Sequence, residues 1–151
     1  MSKFMEAFES TKEFSSDMGW DINYIELYKT IKIYHPQDYN DIVLITIYST
    51  DASSFIMKLY VRKSASGKFT DAEKKLIDTR TYINMVLALD KIIAPTLKRV
   101  DDKNRWTVGV FRFGKPDKTS GNLNCSSNFE YDDHSEDSLE YMRKLEKKYL
   151  K

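Results

Sequence analysis

The segment that most constrains this chain is Ile42-Val43-Leu44-Ile45-Thr46-Ile47-Tyr48, which follows Asp41. β-Branched and other apolar residues crowd both parities of the run, so an extended segment here is buried on two sides. That pattern predicts an interior strand. Ser49 to Ser54, centred on Asp51, supplies turn formers. Phe55, Met57, Leu59 and Val61 then alternate with Ile56, Lys58, Tyr60 and Arg62, and the pair of runs reads as an antiparallel hairpin.

Helical spacing flanks this hairpin. Ile22, Ile25, Leu27 or Tyr28, and Ile31 recur three and four residues apart, which predicts a helix from Asp21 to Tyr34. His35-Pro36 ends it, because proline lacks a backbone donor and drives the residue before it out of helical geometry. After the loop Ser64-Ala65-Ser66-Gly67, Thr70 stands three residues before Glu73, the spacing of a capping box. A long helix is expected from there through Leu76, Ile83, Val86, Leu87, Asp90 and Ile93, and near Pro95 it stops at Ala94 or kinks and continues.

A second hairpin follows. Trp106, Val108 and Val110 alternate with Thr107, Gly109 and Phe111, and Leu123, Cys125, Ser127, Phe129 and Tyr131 alternate with polar neighbours. The segment from Gly114 to Gly121 has turn chemistry at both ends. Ser135 can cap a last helix with Glu136, Asp137 and Glu140 in its first turn and Arg143, Lys144, Lys147 and Lys148 later, matching the helix dipole at both ends. The order α-ββ-α-ββ-α predicts an α+β fold, an antiparallel sheet from two hairpins with helices packed on one face. Residues 1–20 read as a short helix or a loose arm, and residues 21–151 as a single α+β domain.

Composition narrows the function classes. Lys and Arg number 24 against 23 Asp and Glu, so no global field draws the chain to nucleic acid or to an anionic membrane. Cys125 is the only cysteine, which rules out an intramolecular disulfide and suits a reducing, cytoplasmic setting. The first residues carry charges at Lys3, Glu6, Glu9, Lys12 and Glu13, leaving no uncharged stretch for a signal peptide. The apolar run from Ile42 to Ile47 is far short of the roughly 20 residues of a membrane helix.

Few groups point to chemistry. His35, His134 and Cys125 lack the spacing of a zinc site, and Cys125 falls on the inward side of a predicted strand as a small buried hydrophobe. Gly109, Gly114 and Gly121 form no phosphate-cradling pattern. No base, nucleophile and orienter can be assembled, so no catalytic residue, metal or cofactor is expected. Two surface groups remain. Glu130, Asp132, Asp133, Glu136 and Asp137 could meet a cation or a basic partner, or could simply end a strand and load a helix N-terminus. Lys98, Arg99, Lys103 and Arg105, beside Trp106 and with Lys74, Lys75 and Arg80 upstream, could form a cationic face with one stacking ring, or a solvated helix end beside a core tryptophan. The 10 tyrosines could line a binding surface, though most fall on predicted sheet faces.

Two stretches carry a family resemblance. One is His35-Pro36-Gln37-Asp38-Tyr39-Asn40-Asp41-Ile42-Val43-Leu44, at a helix end and strand entry. The other is Trp106-Thr107, then Phe111-x-Phe113, Gly121-x-Leu123 and Phe129-Glu130-Tyr131-Asp132, followed by a charged terminal helix. With the element order, residues 22–150 resemble the YezG-like family of bacterial immunity proteins, antitoxin partners of nuclease toxins delivered by the type VII secretion system. The resemblance implies a small cytoplasmic protein that neutralises a toxin domain by covering it, without chemistry of its own. Nuclease inhibitors are often strongly acidic and this chain has net charge +1. Its acidic surface would therefore be local, with Glu130, Asp132, Asp133, Glu136 and Asp137 as the partner-binding candidates. The rival expectation is a small nucleic-acid-associated domain that uses the basic stretch 98–105.

Overall fold

The computed structural model describes residues 22–100, 105–115, 124–131 and 138–150. The two-sided apolar run becomes β1 (Asp41–Tyr48), the middle strand of one five-stranded antiparallel sheet. β2 (Phe55–Arg62) returns beside it in the register Asp41↔Arg62 to Tyr48↔Phe55. The turn between them is built on Asp51, whose carboxylate accepts bonds from the Ser49 hydroxyl and from the Ser53 amide and hydroxyl.

β4 (Val108–Gly114) pairs with the other edge of β1, and β5 (Cys125–Glu130) pairs with β4. The two expected hairpins are thus joined side by side. A two-residue strand, β3 (Thr70–Asp71), extends the sheet beyond β2 and gives the order β3-β2-β1-β4-β5.

Among the described residues, three long helices and one short one accompany this sheet. α1 (Tyr24–Tyr34) starts at Asn23, whose side chain accepts from the Glu26 amide, and ends where the His35 amide bonds to the Ile31 carbonyl just before Pro36. The expected single helix from Thr70 divides into two. Thr70 is a strand residue, Asp71 caps the one-turn α2 (Ala72–Lys75), and Asp78 caps α3 (Thr79–Lys98) by accepting from the Thr81 amide and hydroxyl. Two successive capping aspartates outcompete one capping box. α3 runs through Pro95 to Lys98. α4 (Ser138–Tyr149) closes the described chain. The residues expected as an amino-terminal arm and Ser135 lie outside the described residues.

The placement of the helices corrects one expectation. α1 and α3 pack together on one face, over Ile42, Leu44, Tyr48, Met57, Leu59, Val61, Phe111 and Phe113. α4 lies on the opposite face, where Met142 and Leu145 bury Val43, Ile45, Ile47, Tyr60, Val108 and Val110. Helices therefore cover both faces and not one. The cause is β1 itself, because a strand apolar on both sides would leave Val43, Ile45 and Ile47 in water if one face were bare.

Buried tyrosines stitch the layers. Tyr24 of α1 meets the Ser127 hydroxyl at 2.9 Å. Tyr48 of β1 donates to Asp90 of α3 at 2.6 Å, and Tyr60 of β2 donates to Glu146 of α4 at 2.5 Å. The Tyr82 hydroxyl of α3 accepts from the Leu59 amide and donates to the Met57 carbonyl, taking up the edge of β2 where β3 does not reach. These four tyrosines therefore serve packing.

Candidate functional site

Of the five acidic candidates, Asp132, Asp133, Glu136 and Asp137 lie outside the described residues. Glu130 is the last residue of β5, and its carboxylate is already engaged. It accepts a bond from the Tyr149 hydroxyl and pairs with Lys148 at 2.9 Å, both on α4, and its side chain is 16% exposed. Burial pushes this carboxyl up, but the bonds from Tyr149 and Lys148 outweigh it and hold the group below the ordinary carboxylate range. Glu130 is a fastener between β5 and α4.

The basic stretch is divided in the same way. The Arg105 guanidinium donates from Nε to the Leu97 carbonyl at 2.7 Å and from Nη1 to the Thr50 carbonyl at 3.3 Å. Arg99 donates to the Pro95 carbonyl at 3.2 Å. Both close the carboxyl end of α3. Trp106 is 1% exposed and packs its ring against Tyr48, Phe111 and Phe129, so it offers no face to a base. Arg80 is exposed in the first turn of α3, away from that end. Lys103 and His134 lie outside the described residues.

His35 is buried, stacked on Tyr39, with Nε2 at 2.6 Å from the Tyr39 hydroxyl. Burial, and then the charge of Lys32, push its imidazole below the ordinary value. Cys125 faces the α1/α3 side, but at the margin of that core and half-buried, not as the buried hydrophobe expected. Among the described residues no group of three or more His, Cys, Asp or Glu is placed to hold a metal ion. No described helix is long and apolar enough to cross a membrane.

What the sequence did not single out is the end of the sheet where β1 and β5 begin and β4 ends. Asp41 sits there between two arginines. Its Oδ2 accepts from Arg62 Nε and from Asn40 Nδ2, and its Oδ1 lies 3.6 Å from Arg112 Nε. Burial raises the Asp41 carboxyl, yet these bonds and the two positive charges overcome it and hold the group ionised below its ordinary value. Both guanidinium groups lie over the Phe69 ring, at 4.7 Å for Arg62 and 5.5 Å for Arg112.

Beside this cluster opens a polar cleft of about 470 Å³ lined by Asn40, Asp41, Arg112, Gly114, Lys115, Asn124, Cys125 and Ser126. A smaller cleft on the other side of β4, lined by Tyr28, Lys32, Asp38, Tyr39, Ile42 and Phe113, shares Gly114 and Lys115 with it. The sequence did hold a signal for the larger cleft. Arg112 interrupts the apolar Phe111-x-Phe113 on a strand covered on both faces, which places a charge where packing alone would choose a hydrophobe.

No family model matches the chain, and no curated protein matches it. The functional reading therefore rests on the residues themselves.

Proposed function

We propose that this chain is a non-enzymatic binding domain that works by covering a partner protein, in the manner of the immunity proteins it resembles. What supports the reading most is the use of its reactive groups. Glu130 is taken by Tyr149 and Lys148, Glu146 by Tyr60, Asp90 by Tyr48, and His35 by Tyr39. Among the described residues these groups are engaged in internal bonds, which favours recognition through the surface over chemistry.

The exposed side chains fit such a role. Ile83 and Leu87, one turn apart on α3, are 52% and 49% exposed, and Tyr131, just after β5, is 47% exposed. Exposed apolar and aromatic side chains are the usual anchors of protein interfaces. Tyr131 adjoins the acidic residues Asp132 and Asp133 in sequence, so an aromatic anchor and a run of charge stand together in the chain.

Co-expression with the product of the neighbouring gene tests the reading. The expected result is a stable complex that survives purification, with the partner's toxicity suppressed. Changing Asp132, Asp133, Glu136 and Asp137 together to Lys should abolish the complex while leaving the circular dichroism and melting of the free protein unchanged. Turnover of a substrate by the purified protein, or toxicity unaffected by its presence, would sink the proposal.

A further inference from the structure

Arg112 is the cleft residue whose surroundings do most to fix its position. Strand register places it opposite Val43 of β1 and Ser126 of β5, on the face that carries α4. Phe69 supports its guanidinium from one side, and the Asp41 carboxylate holds Nε from another. Arg62 has the closer hold on that carboxylate, so one Asp serves two arginines and leaves the second only partly neutralised. The exposures agree with this. The Arg112 side chain is 34% exposed against 13% for Arg62, so the Arg112 fork is the one that opens toward the cleft.

We propose that this cleft binds the phosphate monoester group of a small ligand, with Arg112 as the planar fork and Lys115 as the point charge. Arg112 and Lys115 line the cleft with Asp41, and Arg62 pairs with that carboxylate from outside the lining, so the cluster as a whole carries an excess of two positive charges. That excess matches the charge of about −1.5 to −2 on a phosphate monoester at neutral pH, whereas a carboxylate brings only one. Guanidinium geometry suits two phosphate oxygens at once. Because Asp41 and Phe69 hold the guanidinium before any ligand arrives, less side-chain freedom is lost on binding.

Neutral groups complete the site. Ser126 of β5 and Asn124, just before that strand, line the same cleft and carry a hydroxyl and an amide. At about 470 Å³ the cleft has room for the organic part of an ester as well as its phosphate. None of the residues lining this cleft is among those assigned to a protein partner. Loss of partner binding leaves the inference standing, and loss of the anion site leaves the partner reading standing.

Amide resonances of the isotope-labelled full chain test it, titrated at constant ionic strength with inorganic phosphate, a simple alkyl phosphate and acetate. Saturable shifts at Gly114, Lys115 and Ser126 are expected with both phosphates, and acetate should bind roughly tenfold more weakly or less. Lys115→Gln and Arg112→Gln should each weaken phosphate binding about tenfold, and Arg112→Lys should weaken it too because charge survives without the fork. Lys115 is exposed, so its variant keeps the test decisive if Arg112→Gln loosens the sheet. Three results would overturn the proposal: phosphate shifts no larger than those of a parallel chloride titration at the same ionic strength, acetate as strong as phosphate, or phosphate binding indifferent to Lys115→Gln. Free phosphate that binds while the alkyl ester does not would overturn the assignment to an ester.

Discussion

Ile42, Leu44 and Tyr48 of β1 look toward α1 and α3, while Val43, Ile45 and Ile47 of the same strand look toward α4 alone. The first side is a ring-rich core. Tyr24, Tyr48, Trp106, Phe111 and Phe129 form a connected chain of edge and tilted contacts with centroids 5.2 to 6.2 Å apart. The second is mostly aliphatic on the sheet, and among the described side chains of α4 Met142 and Leu145 are buried there, with Tyr141 and Tyr149 only partly covered. Directional bonds add to this apolar contact. Glu146 to Tyr60, and Tyr149 with Lys148 to Glu130, provide them. One face therefore combines a large ring-rich area with a single phenol–carboxylate pin, Tyr48 to Asp90, and the other a smaller area with two such pins, at Glu146 and Glu130.

The largest expected effect tests the first half of that contrast. Phe111→Ala removes a ring that is fully buried and touches three others, and should cost about 3–5 kcal/mol in urea unfolding. A loss under about 1.5 kcal/mol would mean that the ring chain can collapse around the gap. Met142→Ala should cost about 2–3 kcal/mol and should lower hydrogen-exchange protection in α4 before it does so in α3. If the two sides are energetically separate, the double variant loses the sum of both within about 0.5 kcal/mol.

Smaller effects probe the pins. Tyr60→Phe leaves the Glu146 carboxylate without its donor from β2 and should cost about 1–2 kcal/mol, again with α4 the first element to open. pH offers a finer probe. Burial and the bond to Glu130 push the Tyr149 phenol up to about 12, above the ordinary value near 10. A raised phenol contributes stability that is complete below pH 10 and is lost as pH rises toward 12. Tyrosinate absorbance should therefore rise with partial loss of α4 in that window, and Tyr149→Phe should remove this part of the alkaline dependence. Glu130 and Asp41 act in the opposite direction. Their lowered values contribute stability above the ordinary carboxylate range, and it is lost as pH falls below about 4.

Much of the fold was legible because periodicity reports burial. The β1 run, the alternation of β2 and β5 and the Pro36 stop all appear where spacing put them. What spacing could not convey was partnership. Nothing local in α4 says which face of the sheet it covers, although the double-sided β1 already required a cover on each. The long helix was misread at its start because Asp71 and Asp78 cap separately, and only tertiary packing around Ala72 and Ile77 decides between one helix and two. The site was less legible still. Asp41 from β1, with Asn40 just before it, Arg112 from β4 and Ser126 from β5 meet only through strand register, and that is a property of the assembled sheet.

Gly109 lies in β4 under the Trp106 indole, and a Cβ placed there would come within 2.8 Å of two ring carbons. The two positions are thus occupied jointly: the indole has a seat only while its neighbour lacks a side chain. Over evolutionary time they should drift together, with a bulkier residue tolerated at 109 only in chains whose residue 106 has shrunk.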